Sequence, residues 1–199
     1  MEDKLNGIVK EYWPDGELKS EKSYQDGKLE GICRDYLFGK VCGTVEYHNG
    51  KANGLYRHWW SNGNLMSEST WKDDKGDGVC REFYENGALR REAVYKEGKA
   101  EGPWREYYDN GKLKFEATYK DGWINGSCRY FYDTGACEKV ESYKAGKKEG
   151  ISRTYTMDGD FWYAEEYHND KFVRSLTEGE LLSIEECSDN RQRSGGIGR

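Results

Sequence analysis

The sequence predicts an all-β fold: an elongated, twisted, single-layer antiparallel β-meander of seven repeats of about 24 residues, with a short C-terminal helix and a flexible tail. Three observations carry this. Glycine recurs in register, aromatic residues recur in two further columns, and the composition suits a ringed sheet better than an aliphatic core. Of 199 residues only 35% are hydrophobic and the mean hydropathy is -1.07, yet 15% are aromatic. Disordered chains are poor in aromatic residues, so low hydropathy here signals a fold that buries rings.

The glycine columns set the repeat length. One runs Gly7, Gly31, Gly54, Gly78, Gly102, Gly126, Gly150, and a second Gly16, Gly39, Gly63, Gly87, Gly111, Gly135, Gly159. A third holds Gly27, Gly50, Gly98, Gly122 and Gly146, with Asp74 and Asp170 in the remaining two places. These columns predict repeats at 7–30, 31–53, 54–77, 78–101, 102–125, 126–149 and 150–173, with an overhang at 1–6 and a cap and tail at 174–199.

Residues 102–125 show how one repeat is built. Pro103–Tyr108 reads as a strand, Asp109-Asn110-Gly111 as a turn, Lys112–Tyr119 as a second strand and Lys120-Asp121-Gly122 as a second turn. Asn-Gly and Asp-Gly suit two-residue primed turns, whose positive φ angles match the twist of antiparallel strands. The aromatic and β-branched residues between the turns favour strands over helices.

The fifth residue after the leading glycine is always aromatic: Tyr12, Tyr36, Trp59, Phe83, Tyr107, Phe131, Tyr155. So is the residue three before each third-column position: Tyr24 is followed by Gln25, Asp26 and Gly27, and Tyr47, Trp71, Tyr95, Tyr119, Tyr143 and Tyr167 align with it. Leu18, Val41, Leu65, Leu89, Leu113, Cys137 and Phe161 supply an apolar column after the first turn. Aromatic pairs add about 0.5–1.5 kcal/mol each beyond the area they bury.

A basic column, Lys10, Arg34, Arg57, Arg81, Arg105, Arg129, Arg153, completes the pattern. With a two-residue Asn-Gly turn, Lys10, Arg57, Arg81 and Arg105 face Glu21, Glu68, Glu92 and Glu116. Such cross-strand pairs contribute about 0.2–1 kcal/mol. Arg34, Arg129 and Arg153 face Thr44, Val140 and Ala164 instead, which marks them as candidates for external contacts.

No residue set points to catalysis, and no cofactor or metal is expected. His48, His58 and His168 do not fall at metal-ligand spacing, and there is no CxxC, GxGxxG, HExxH or GxSxG pattern. His48 and His168 fall at the second turn, and His58 reads as a structural strand residue. Cys33, Cys80 and Cys128 share one column two strands apart per repeat, too far to bridge, so free thiols are expected for all six cysteines. Cys187 falls in the predicted tail. With no secretory signal and no run of about 20 apolar residues, a cytoplasmic protein is expected. The net charge of -6 disfavours nucleic acid.

Binding is the class that survives. Trp13, Trp60, Tyr84, Tyr108 and Tyr132, one residue beyond the fifth-position ring, are the predicted contact ridge. Phe38, Tyr56, Trp104, Trp123 and Trp162 are rings the repeat does not require, which adds Trp104 and Trp123 to the candidate contacts. Beyond the last repeat, Thr177-Glu178-Gly179-Glu180 reads as a capping box opening a helix over 177–187. Leu181, Leu182 and Ile184 are expected to cover the last strand. The first strand is left as an open edge for self-association or strand addition by a partner.

The unit YYxNGxLKxEaxYKDGKxxG resembles the MORN-repeat variant of bacterial antitoxin proteins of the YwqK type. The likeness runs over residues 7–173 and is best at 78–125. It departs in the second repeat, one residue short and without an Asn-Gly turn, in the third, with KDDKGDG, and in the seventh, which ends on Asp170. The resemblance implies a non-enzymatic protein-binding repeat protein, an antitoxin- or immunity-like component that neutralises a toxin domain by occlusion. The alternative it implies is a scaffold or tether on another protein or a phospholipid surface.

Overall fold

The computed structural model describes residues 4–184, arranged as two compact units: 4–112 with 119–122, and 113–118 with 123–184. The first contains β1 (Gly7–Tyr12), β2 (Leu18–Gln25), β3 (Lys28–Leu29), β4 (Gly31–Leu37) and β5 (Lys40–His48). It continues with β6 (Lys51–Trp59), β7 (Leu65–Lys72), β8 (Lys75–Phe83), β9 (Leu89–Lys96) and β10 (Lys99–Tyr107). The division falls within β11 (Leu113–Lys120). The second unit adds β12 (Trp123–Ile124), β13 (Gly126–Phe131), β14 (Cys137–Lys144) and β15 (Lys147–Lys148). It ends with β16 (Gly150–Tyr155), β17 (Phe161–His168), β18 (Lys171–Leu176) and a helix, α1, over 178–184. The fold is all-β: within each unit, strands adjacent in sequence pair antiparallel.

Backbone conformation explains the glycine columns. All 19 column glycines have positive φ, from 70° to 129°, and Asp74 and Asp170 adopt 65° and 66° in the same column. The second turn of each repeat is a two-residue primed turn, with positive φ at both places: Asp26-Gly27, Asn49-Gly50, Asp73-Asp74, Glu97-Gly98, Asp121-Gly122, Ala145-Gly146, Asn169-Asp170.

The first turn differs from the expectation. Asn62, Asn86 and Asn110 are not in the left-handed region; only the glycine after each is. The Gly63 N–H donates to Trp60 O at 2.9 Å and the Trp60 N–H to Asn64 O at 2.8 Å, a type I turn closed by a left-handed glycine. The Asn62 side chain accepts the Asn64 N–H at 2.9 Å and donates to Glu85 O of the next turn at 2.9 Å. Met66 then bulges out between the pairs Trp59↔Leu65 and His58↔Ser67. The longer turn and the bulge cancel, so Arg57 faces Glu68 as the shorter turn would have it. In the second repeat the missing residue converts this connection into a two-residue primed turn, Phe38-Gly39, with φ of 50° and 70°.

The leading glycines occupy bulges between repeats. Ala100 faces Tyr95 and Trp104 faces Ala93, so Glu101, Gly102 and Pro103 stand opposite Val94 alone. In five repeats the residue before the leading glycine ties this bulge to the next turn: Asn6 Oδ1 accepts the Asp26 N–H at 2.8 Å and Glu101 Oε2 the Asp121 N–H at 2.8 Å, and Glu30, Asn125 and Glu149 do the same. Where the turn ends on aspartate, that side chain also reaches back. Asp74 accepts the Ala52 N–H at 2.8 Å and Asp170 the Lys148 N–H at 2.7 Å.

Alternation gives each unit two faces. One carries the basic column and the fifth-position rings, here the ladder face. The other, the ring face, carries the Tyr24-type column and buries small residues against it: Ser20, Ala93 and Ala100 in the first unit, Ala117, Cys128 and Ser152 in the second. Helix α1 packs on the ladder face of the second unit, where Leu181 joins Ala164 and Leu176 in a core flanked by Ile151, Phe161 and Ile184. Burying such a leucine is worth about 1.5–3 kcal/mol. The predicted capping box is present, with Thr177 N–H donating to Glu180 Oε2 at 2.8 Å and Glu180 N–H to Thr177 Oγ1 at 3.3 Å. Leu182, expected to cover the last strand, is instead exposed, because it lies one residue round the helix from Leu181. The expectations for Cys187 and the tail fall outside the described residues.

A left-handed backbone costs a non-glycine residue about 1–2 kcal/mol. Gly111, at φ +81° with open space around its Cβ position, isolates that cost. Gly111→Ala is expected to lower stability by about 1–2 kcal/mol, read as a lower urea midpoint. Gly76→Ala, whose Cβ would meet Tyr95 at an ordinary 3.7 Å without positive φ, should stay within about 0.5 kcal/mol.

Candidate protein-binding surface

On the ladder face of the first unit the basic column alternates with carboxylates in a row that Thr44 interrupts between Arg34 and Arg57. Lys10 faces Glu21, Glu21 faces Arg34, Arg57 faces Glu68, Glu68 faces Arg81, Arg81 faces Glu92 and Glu92 faces Arg105. Ion-pair distances are 3.1 Å for Lys10–Glu21, 3.2 Å for Arg57–Glu68, 3.5 Å for Arg81–Glu68 and 2.7 Å for Arg81–Glu92. Each carboxylate thus has basic neighbours on both sides. Tyr36 donates its hydroxyl to Glu21 at 2.8 Å; this bond and Lys10 hold the Glu21 carboxyl below its usual range.

The neighbouring strand on the other side changes the reading of the three remaining cations. Arg34 does face Thr44, but Glu21 lies across its other edge. Arg129 faces Val140 and pairs at 3.3 Å with Glu116, so it belongs to the row of the second unit rather than standing ready for an external group. Arg153 is half-buried between Val140 and Ala164, where the row turns apolar beneath α1.

The predicted ridge is largely a set of ties between repeats. The Trp60 Nε1–H donates to Phe83 O at 3.2 Å, the Tyr84 hydroxyl to Tyr107 O at 2.8 Å and the Tyr132 hydroxyl to Tyr155 O at 2.9 Å. Each bond spans 23 residues and fixes one repeat to the next. Tyr108 is half-buried at the same position, and its N–H closes the turn to Lys112 O at 2.8 Å. Trp13 is 39% exposed, with Lys19 Nζ 4.7 Å from its ring centre.

The non-consensus rings divide sharply. On the ring face Trp104 lies between Tyr95 and Tyr119, at 6.3 and 5.0 Å, with the Arg91 guanidinium 4.8 Å from its ring. Tyr56 lies 6.4 Å from Trp71 and stacks on His58. These rings pack. Phe38, Trp123 and Trp162 are instead 79%, 63% and 65% exposed. Phe38 is also the bulkiest non-glycine residue at positive φ, a conformation that a phenylalanine adopts only at a cost in strain.

The second unit holds a buried polar cluster that the repeat pattern hides. Glu141, 4% exposed, accepts from Lys139 Nζ and Lys148 Nζ at 2.8 Å each and from the Tyr143 hydroxyl at 3.0 Å. Burial pushes its carboxyl up, but these three donors outweigh burial and hold it below the usual range. Beside it, burial and the Glu141 charge push the Cys128 thiol up to about 11, which leaves it protonated and unreactive at neutral pH. The signal in the sequence was Lys148, standing where Leu29, Ala52, Ala100 and Ile124 stand elsewhere. His48 and His168, read as turn residues, end β5 and β17, each with Nδ1 2.9 Å from a carboxylate oxygen, of Glu30 and Glu149. Among the described residues no group of three or more His, Cys, Asp or Glu is placed to hold a metal ion.

Two substitutions separate these roles. Tyr84→Phe removes one inter-repeat bond and is expected to cost about 1 kcal/mol in urea unfolding. Glu141→Gln strands two lysines and should cost about 3 kcal/mol at neutral pH. Because the folded carboxyl is lowered, its contribution is complete above the ordinary value of about 4.3 and is lost as pH falls through the lower folded value. The gap between wild type and Glu141→Gln should therefore begin to narrow as pH falls below about 4.3 and close below the folded value.

Among curated proteins, none matches this chain. Four stretches, 5–26, 52–73, 76–97 and 100–121, match the family model described as MORN repeat variant. Each begins two residues before a leading glycine and ends on the first residue of the primed turn. On these four stretches the chain is similar to that family of non-catalytic repeats.

Proposed function

We propose that this chain is a protein-binding repeat protein that acts without catalysis, neutralising a toxin-like partner in the cytoplasm by covering the partner's working surface. The observation that carries the reading is the exposure of Phe38, Trp123 and Trp162 at positions where the repeat needs no ring. Large exposed aromatics are the usual anchors of protein interfaces, since they bury much area for little lost side-chain freedom. The anchors are Phe38 and Trp13 on the first unit, and Trp123 and Trp162 on the second. Trp60, Tyr84, Tyr108 and Tyr132 back them from the turn ends. Arg34 and Arg129, each beside a carboxylate of the row, contribute rim charge, while Arg153, half-buried beneath α1, and Trp104 on the ring face support the surface from within.

The -6 net charge opposes nucleic acid and favours a basic protein partner. Co-expression with a toxin-like product of a neighbouring reading frame should relieve growth arrest, and the purified pair should form a stoichiometric complex. Phe38→Ala and Trp123→Ala are each expected to weaken that complex by at least tenfold while leaving the urea midpoint unchanged. Unaltered affinity in both variants would sink the assignment. Co-sedimentation with anionic liposomes in place of a protein complex would move the function to a phospholipid surface.

A further inference from the structure

The ring face of the first unit carries a row of aromatic side chains in which Cys33 and Cys80 stand where other repeats place a ring, and beside Cys33 the chain keeps Leu29 opposite Tyr24. Trp71, Tyr95 and Tyr119 occupy equivalent positions in successive repeats, two strands or about 10 Å apart. Stacked rings fill about that distance when one further ring stands between each pair. Trp104 does so between Tyr95 and Tyr119, and Tyr56 flanks Trp71 within one repeat. Between Trp71 and Tyr95 the corresponding residue is Cys80, 24 residues after Tyr56 and 24 before Trp104. The chain beside it is also stripped: Gly76 stands where neighbouring repeats have Ala52 and Ala100.

The result is a slot of about 450 Å³ with Trp71 and Tyr95 as walls, Cys80 and Gly76 among the residues that line it, and Asp74 and Lys75 beside the primed turn. The volume is that of a ligand pocket, and the lining is mostly apolar with few polar groups, as such pockets are. The Trp71 Nε1–H is already engaged by Ser69 Oγ at 2.8 Å, which fixes that wall.

We propose that this slot receives one aromatic side chain of the partner protein, which completes the ring row between Trp71 and Tyr95. This rests on the protein-binding reading above and names the chemistry of the partner's anchor. A ring fits because Trp71 and Tyr95 both line the slot, as Tyr95 and Tyr119 flank Trp104 in the next repeat; an aliphatic side chain of equal volume forgoes what each ring–ring contact adds.

The test uses the full chain with 15N-labelled tryptophan, the Trp71 indole N–H signal being identified by Trp71→Phe. The probes are acetyl-Gly-Tyr-Gly-amide, its leucine counterpart and free p-cresol. The tyrosyl peptide and p-cresol are expected to shift the Trp71 signal saturably. The leucyl peptide should bind at least tenfold more weakly. Cys80→Phe, which supplies the ring from within, should weaken the tyrosyl peptide at least tenfold. Should that variant fail to fold, Gly76→Val blocks the slot and makes the same comparison.

No saturable shift, equal binding of the leucyl peptide, or full affinity in the blocked variant overturns the slot as an aromatic site. Entry of p-cresol without the tyrosyl peptide overturns a side chain as its occupant. These readings use no natural partner, so their failure is distinct from failure of the protein-binding function: a wild-type chain that takes the tyrosyl peptide but forms no complex overturns the latter.

Discussion

The main chain must pass through the left-handed region at four fixed places in every stretch of about 24 residues, and the rest of the structure depends on that requirement. Nineteen glycines and two aspartates meet it at three of them, and the first residue of each primed turn, Asp26 or Ala145 for example, at the fourth. Because a strand presents alternate residues to opposite faces, an error of one residue at any of these places would turn every following side chain over. The turns and bulges therefore do more than reverse direction. They hold the phase that sets Arg57 against Glu68 and Trp71 beside Tyr56.

With phase secured, the two faces divide the work. The ladder face alternates charge in a row where each carboxylate lies between basic neighbours, so a column of like cations is not left to repel across the sheet. The ring face packs aromatic side chains against alanine, serine and cysteine, residues small enough to leave room for large rings. This is how a chain of low hydropathy folds without a thick aliphatic core. Where the pattern fails, other bonds compensate: Asp74 and Asp170 accept the backbone N–H groups of Ala52 and Lys148.

Much of this was legible in the sequence because it repeats. The pairing of Lys10, Arg57 and Arg81 with glutamates followed from counting, although the Asn-Gly turn was assigned the wrong type; the added bulge at Met66 restored the count. What counting within one hairpin could not show is what arrives from the next. Glu116 reaches Arg129 from the preceding strand, and the Tyr84 and Tyr132 hydroxyls reach carbonyls 23 residues ahead. The exposed rings and the open slot were harder still, since they depend on what a column lacks. Cys80 and Gly76 look unremarkable singly and matter only because Tyr56 and Trp104 flank them.

The first-turn asparagines carry a chemical liability that follows from their position. Asn62 and Asn86 each accept a nearby N–H and donate to a carbonyl of the next turn, and each precedes a glycine. Asparagine is among the thermolabile residues, and loss of its amide nitrogen leaves a carboxylate. That carboxylate would still accept the N–H but would face the Glu85 or Asp109 carbonyl oxygen with negative charge in place of a donor. Ageing would thus loosen the ties between successive turns one at a time, with Asn64 still donating to Glu85 O at 2.8 Å after the Asn62 amide is lost, while leaving the strands between them intact.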